Sequence, residues 1–184
     1  AFLCLVPTYF APLYNMTMFA PQYQEGLRLD IFSYKLVGGN QGQDVKEINV
    51  LNHYIGMKAI TPDAIPELRY MPWLIGALVL AGLGVAAKGS RRAVLVWLAA
   101  FALLGAVGLW DFWRWEYDYG HNLDMENAII IVPGMSYQPP MIGTKQLLNF
   151  TATAWPGFGA AALGVSFVLA AAVWFFTRPR PEVA

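Results

Sequence analysis

Residues 109–119 read Leu-Trp-Asp-Phe-Trp-Arg-Trp-Glu-Tyr-Asp-Tyr and lie between an apolar run and a long polar region. Tryptophan and tyrosine collect where a membrane meets water, because the ring favours the acyl boundary while its N–H or O–H needs a polar partner. Charged residues of both signs alternate with these rings. The stretch therefore predicts the end of a transmembrane helix that passes through the interface into a folded domain outside the bilayer.

The composition of the chain favours a polytopic membrane protein. Of its 184 residues, 57% are hydrophobic and only 13% are charged, whereas a soluble domain has about 25% charged residues. Twelve basic and twelve acidic residues cancel, and no basic surface for nucleic acid is indicated. The single cysteine, Cys4, cannot form an intrachain disulfide.

Apolar runs mark the predicted transmembrane helices. A helix needs about 20 apolar residues to cross the hydrocarbon core. Three runs fit this length, at 71–87, 93–113 and 157–177. Residues 1–20 are also apolar but contain Pro7 and Pro12. We interpret them as a first transmembrane helix or anchor, with an interfacial segment as the alternative.

Positive charge in short connections predicts the orientation, because lysine and arginine accumulate on the cytoplasmic side. The turn at 88–92 and the tail at 178–184 carry the basic residues Lys88, Arg91, Arg92, Arg178 and Arg180. This pattern predicts a multi-pass protein of the bacterial inner membrane, with its C-terminus in the cytoplasm. The two long polar regions, 21–70 and 114–156, are then periplasmic.

The two polar regions are each too small to hold a stable core alone, so we expect them to pack together. Residues 28–35 alternate with period two, which favours a short strand. Asp44 and Glu47 form a capping-box pattern before an amphipathic helix to about Met57. The predicted fold is an all-α membrane protein of three to four transmembrane helices, with a small mixed α+β extracytoplasmic domain formed by two long loops.

Histidine and methionine residues of the polar regions are candidate metal ligands. His53 and Met57 are four residues apart on the predicted helix, and His121 and Met135 belong to the other region. Imidazole and thioether suit copper, and thioether especially suits Cu(I). The alternative is that the methionines fill gaps in packing.

Aromatic and proline residues are candidate partner contacts. The loop after residue 133 is rich in Pro and Gly and would present a docking surface or simply return the chain to the membrane. The charged residues of 109–119 favour an ion-pair ladder over a proton pathway. No catalytic or cofactor-binding pattern is recognisable, which favours a non-enzymatic protein. The candidate interface residues are Trp110, Trp113, Trp115, Tyr117, Tyr137, Pro139, Pro140 and Met141.

Three segments carry a family resemblance: NHYIGMK at 52–58, WEYDYGHNLD at 115–124 and GTKQLLNFTA at 143–152. They resemble a family of small bacterial polytopic membrane proteins that tend to be encoded near the copper-maturation genes of nitrous oxide reduction. The resemblance implies a bacterial inner membrane. It also implies copper chaperoning or delivery, with His53, Met57, His121 and Met135 at the matching positions.

Two functions therefore remain open from the sequence. The first is a non-catalytic accessory subunit that packs in the lipid bilayer against the subunits of a larger electron-transfer complex, respiratory or photosynthetic, and supports its assembly. The second is a periplasm-facing copper-handling protein with His and Met ligands. We favour the first, because the spacing of the metal-ligand candidates is loose.

Overall fold

The computed structural model describes residues 1–177. The first element of the described part is a 3-10 helix at Phe2–Tyr9, and its last element is a helix that ends at Phe176. The predicted cytoplasmic tail at 178–184, with Arg178 and Arg180, lies outside the described residues. The strands and helices are β1 (Tyr14–Ala20), β2 (Tyr23–Ile31), β3 (Leu36–Gly38), α1 (Gln43–Tyr54), α2 (Glu67–Lys88), α3 (Arg91–His121), β4 (Gly143–Leu147), β5 (Phe150–Pro156) and α4 (Phe158–Phe176).

Three helices, α2, α3 and α4, are long and apolar enough to cross a membrane. They coincide with the three apolar runs seen in the sequence. Gly89, in the left-handed conformation at φ 62°, ends α2 and allows the tight turn into α3. With 31 residues, α3 is about 46 Å long. Its apolar part, 93–113, covers about 30 Å of that length, so the last eight residues extend beyond it.

Residues 1–20 do not form the predicted first transmembrane helix. The 3-10 helix Phe2–Tyr9 has eight residues and covers about 16 Å. It packs between α2 and α4: Phe2 lies against Gly82, and the Ser166 hydroxyl donates to the Ala1 carbonyl at 2.9 Å. Beyond Pro12 the chain becomes β1, whose alternate side chains are buried. The apolar composition therefore reflects a wedge between helices followed by a buried strand.

The sheet has five antiparallel strands in the order β3-β2-β1-β5-β4. β1 is its central strand and pairs with β5, placing Met16 opposite Ala154. The small domain is therefore built from two stretches of chain, as predicted, but the first stretch begins at Tyr14 and not at residue 21, and residues 14–20 supply the centre of the sheet. The strand predicted at 28–35 is instead Tyr23–Ile31.

Helix α1 lies where the amphipathic helix is predicted but ends at Tyr54, so Met57 is not on the same helix face as His53, and the predicted capping box is not formed. Gly42 is the N-cap residue. The buried Asp44 carboxylate accepts hydrogen bonds from the Arg28 amide and the Asn40 side chain. Glu47 accepts one from the Tyr23 hydroxyl. These carboxylates tie the helix to its surroundings and do not cap its own amides.

Two apolar cores lie on either side of the boundary between sheet and helices. The sheet core contains Met16, Leu29, Ile48, Tyr119 and Ala154, among others. The bundle core contains Leu5, Ile75, Leu78, Trp97 and Phe101, among others. α3 contributes to both cores, so it fixes the small domain to the bundle. In the most apolar 18 residues of each long helix, at most 22% of the residues are buried within the chain. Most of the surface of these helices is therefore not covered by the chain itself.

Candidate functional site

The sheet-side end of α3 carries two aromatic columns on opposite sides of the helix. The first, here called the inner column, contains Phe112, Trp115 and Tyr119. Phe112 and Trp115 stack with ring centroids 6.4 Å apart, and Trp115 and Tyr119 stack at 5.0 Å. The Tyr119 hydroxyl accepts a hydrogen bond from the Asn52 side chain of α1. The inner column therefore belongs to the sheet core.

The second, here called the outer column, contains Trp113, Tyr117 and His121. Their spacing of four residues aligns them on one helix face. The ring centroids of Trp113 and Tyr117 are 5.6 Å apart, and those of Tyr117 and His121 are 4.0 Å apart. Trp113 is 43% exposed and Tyr117 is 47% exposed. His121 Nδ1 donates to the Tyr117 carbonyl at 2.9 Å, because a carbonyl can only accept.

Trp110 extends the outer column into the apolar part of α3. It is exposed, and the Arg114 guanidinium lies 5.5 Å from its ring centroid. Arg114 also pairs with Asp111 at 3.1 Å. The exposed face therefore runs without interruption from the apolar segment to the end of the helix. Three predicted interface residues, Trp110, Trp113 and Tyr117, share it.

The predicted ion-pair ladder is formed only in part. Asp111 pairs with Arg114 as expected, but Asp118 pairs with Lys58 at 2.8 Å. Glu116 points to the other side of the helix and is buried against Tyr14.

The proline-rich loop presents its predicted docking residues only in part, because Pro140 and Met141 are half-buried. Tyr137 and Pro139 are buried within the chain itself, and Trp115 is half-buried in the inner column. The Tyr137 amide donates to the Gly120 carbonyl at 2.8 Å. A Cβ atom on Gly120 would overlap the Gln138 backbone, so only glycine permits this contact. Residues 137–141 thus form a strap packed along α3, because apolar rings in this loop gain more from burial than from exposure.

The four predicted copper ligands occupy different environments. His53 and His121 are exposed, whereas Met57 is buried and Met135 is half-buried against the sheet core. Among residues 1–177, no group of three or more His, Cys, Asp or Glu side chains is arranged to hold a metal ion. The copper site stays a prediction.

The two segments that carry these ligands do meet. The Asp124 amide donates to the Gly56 carbonyl at 2.7 Å. Between them lies an open cleft of about 350 Å³, lined in part by Met57, Lys58, Asn122 and Asp124.

Sequence reasoning misses one exposed apolar feature. Ile129, Ile130 and Ile131 are 63%, 47% and 52% exposed, although they lie in a polar region. The amides of Ile129 and Ile130 both donate to the Tyr54 carbonyl and hold this loop against α1. The run of three isoleucines between polar residues is the signal that could have revealed it.

Comparisons of the chain with protein-family models, with curated proteins and with solved structures find no match. The resemblance to copper-associated membrane proteins stays a prediction. The function is therefore inferred from the geometry of the chain.

Proposed function

We propose that the protein is a non-catalytic integral membrane accessory subunit that docks on a larger electron-transfer complex through the outer column of α3. The observation that carries the proposal is the continuous exposure of Trp110, Trp113 and Tyr117 along one helix face. Exposed aromatic side chains of this size are enriched at protein interfaces, where they supply area at low cost in side-chain entropy.

The position of this face supports a membrane-integral partner. Trp110 lies within the apolar part of α3, whereas Tyr117 and His121 lie one to two turns beyond it. Lipid would cover the first part only, and a soluble protein would cover the second part only. A membrane-integral partner with its own extramembrane surface fits both parts.

The orientation follows from the basic residues at the opposite end of the bundle. Lys88, Arg91 and Arg92 flank the turn between α2 and α3, far from the sheet. By the positive-inside rule this turn is cytoplasmic, and the sheet domain with the outer column is periplasmic. A bacterial inner membrane is the location that fits this arrangement.

Site-specific photo-crosslinking in native membranes tests the proposal. A photoreactive phenylalanine analogue replaces Tyr117, and Tyr34, which is similarly exposed at 45% on the sheet domain, serves as the matched control position. We expect crosslinks from position 117 to one integral subunit of a haem- or pigment-bearing complex, and none from position 34. Stoichiometric co-purification should be lost in the double variant Trp113→Ala, Tyr117→Ala. Crosslinks to lipid alone, or co-purification that survives the double variant, would contradict the proposal.

A second candidate function is copper handling, favoured by the direct contact between the segments that carry His53 and His121. The test is the copper content of the purified protein after loading with Cu(I). Copper handling predicts about one copper per chain, lost in His53→Ala and Met57→Leu. The exposed Met125 provides the control variant, Met125→Leu. A protein without bound copper in the wild type would exclude this function.

A further inference from the structure

Two buried side-chain atoms of the described residues have no hydrogen-bond partner, and they are Glu116 Oε2 and the Tyr137 hydroxyl oxygen. Glu116 lies three residues beyond the apolar segment 93–113 and is 2% exposed. Its Oε1 atom is 3.2 Å from the Tyr14 hydroxyl oxygen, and its Oε2 atom has no hydrogen-bond partner. Burying an ionised carboxylate with so few hydrogen-bond donors is unfavourable in free energy, because the charge loses its hydration and too few hydrogen bonds replace it.

If Glu116 is ionised, the Tyr14 hydroxyl cannot donate a hydrogen bond both to Glu116 and to the strap. The Tyr14 hydroxyl oxygen lies 2.8 Å from the Pro140 carbonyl and 2.9 Å from the Met141 carbonyl. A hydroxyl has one proton, so Tyr14 can donate to only one of three acceptors, which are the Glu116 carboxyl and the two strap carbonyls. If it donates to an ionised Glu116, neither strap carbonyl receives a hydrogen bond from it. If the carboxyl itself carries a proton, it donates to the Tyr14 oxygen while Tyr14 donates to the strap.

No opposite charge offers an alternative way to satisfy the carboxyl. Among residues 1–177, the hydrogen-bond partner of the carboxyl is the Tyr14 hydroxyl of β1, and the Tyr119 hydroxyl of α3 is bonded to Asn52 instead. Across residues 1–177, the ion pairs involve other acidic residues. Burial raises the pKa of the Glu116 carboxyl to about 7, although the Tyr14 hydroxyl acts in the opposite direction. Burial beside Glu116 also raises the pKa of Tyr14, which stays protonated.

This network fastens the strap at one of three hydrogen-bonded points. The other two are the hydrogen bond from the Tyr137 amide to the Gly120 carbonyl, one helical turn from Glu116, and the hydrogen bond from the Lys145 ammonium to the Gln138 carbonyl. We propose that the proton on Glu116 is a latch: it holds strap residues 137–141 on α3, and its loss near neutral pH releases them. The latch does not depend on the docking role of the outer column.

The direction of the pH effect follows from linkage. In the closed strap Glu116 binds its proton tightly, whereas in the released strap the carboxyl meets water and titrates in its usual range near 4.5. The equilibrium constant for release of the strap therefore increases as pH rises from about 4.5 to about 7, and it levels off at higher pH. Between pH 5 and pH 8 the release equilibrium should increase by about 10- to 100-fold.

Hydrogen exchange of the full chain in lipid nanodiscs measures this equilibrium. The reporter is the Tyr137 amide, and the protection factor is corrected at each pH for the intrinsic exchange rate. In the wild type we expect protection of the strap to fall by about 10- to 100-fold from pH 5 to pH 8. Glu116→Gln keeps the shape and a donor but cannot ionise, so its protection should not change with pH. Glu126→Gln, an exposed site, should behave like the wild type.

Two results would overturn the latch. One is strap protection in the wild type that does not vary with pH, and the other is a Glu116→Gln variant that keeps the full variation. If Glu116→Gln does not fold, infrared difference spectroscopy of wild-type protein with isotope-labelled glutamate decides the question. A protonated carboxyl band that disappears near pH 7 supports the latch, and complete ionisation by pH 5.5 contradicts it.

Discussion

The inner and outer columns of α3 have nearly the same chemistry and opposite roles. Each column consists of aromatic rings spaced three or four residues apart along the helix. Each ring of one column lies only one or two residues in sequence from a ring of the other. The inner column is covered by the sheet and α1, and Tyr119 is 5% exposed. The outer column faces away from the chain, and Tyr117 is 47% exposed. The same residue type is therefore packed into the core on one face of the helix and exposed on the other.

The comparison predicts that paired substitutions in the two columns separate stability from partner binding. Tyr119→Ala removes a buried ring and should lower the free energy of unfolding by about 3–5 kcal/mol. Tyr117→Ala removes an exposed ring and should change it by less than about 0.5 kcal/mol. Reversible unfolding in detergent micelles, followed by tryptophan fluorescence, measures both. A strong loss of stability in Tyr117→Ala would mean that the outer column is structural.

Glycine substitutions on α3 sharpen the same contrast between covered and open faces. Gly120→Ala forces a methyl group into the strap backbone and should destabilise the protein by about 1–3 kcal/mol. Gly108→Ala on the same helix is the control, because a methyl group at that position would meet no atom within 4 Å. We expect it to be neutral or stabilising, since alanine is the better helix former. Equal effects of the two variants would contradict the packed strap.

Single hydroxyl deletions give a smaller effect of the same kind. Tyr119→Phe leaves the Asn52 amide group buried without its acceptor and should cost about 1–3 kcal/mol. Tyr117→Phe deletes a hydroxyl from the exposed column and should leave the unfolding midpoint unchanged. A neutral Tyr119→Phe variant would show that Asn52 finds another partner.

The smallest effect concerns a partly buried polar pair of the sheet domain, Tyr23 and Glu47. Hydrogen bonds from the Tyr23 hydroxyl and from Gln43 lower the pKa of Glu47 below its usual value. A lowered pKa stabilises the fold above the unfolded-state value, and this contribution is lost as pH falls through the folded-state value. Tyr23→Phe should therefore lower the melting temperature slightly at pH 7 and not at pH 3. A difference that persists at pH 3 would assign it to packing.

The long helices can be predicted from sequence because the bilayer-length apolar runs at 71–87, 93–113 and 157–177 dominate the pattern. β1 cannot, since Tyr14, Met16 and Met18 continue an apolar run and their alternation is masked by Phe19 and Ala20. β1 pairs with β5, where Thr17 lies opposite Thr153, 136 residues later in the chain. Such a long-range pairing cannot be read from the local periodicity of the sequence.

The residue types of the candidate site can be predicted from sequence, but which of these side chains are exposed cannot. Residue type identifies Trp110, Trp113 and Tyr117, and the structure adds that they share one exposed face. The same reasoning assigns Tyr137 and Pro139 to this interface, yet they are buried, because the strap turns back onto α3 at Gly120. Residue type predicts an affinity for interfaces, whereas only packing decides whether the chain itself covers the residue.

The central position of β1 also dictates the order in which the molecule can assemble. β1 and β2 can pair as soon as both have emerged, but the other edge of β1 must wait for β5, which follows the first two long helices in the chain. During that interval one edge of β1 is unpaired and can pair with another chain. Completion of the sheet is therefore a late, long-range step, since it requires residues 150–156 to have been synthesised.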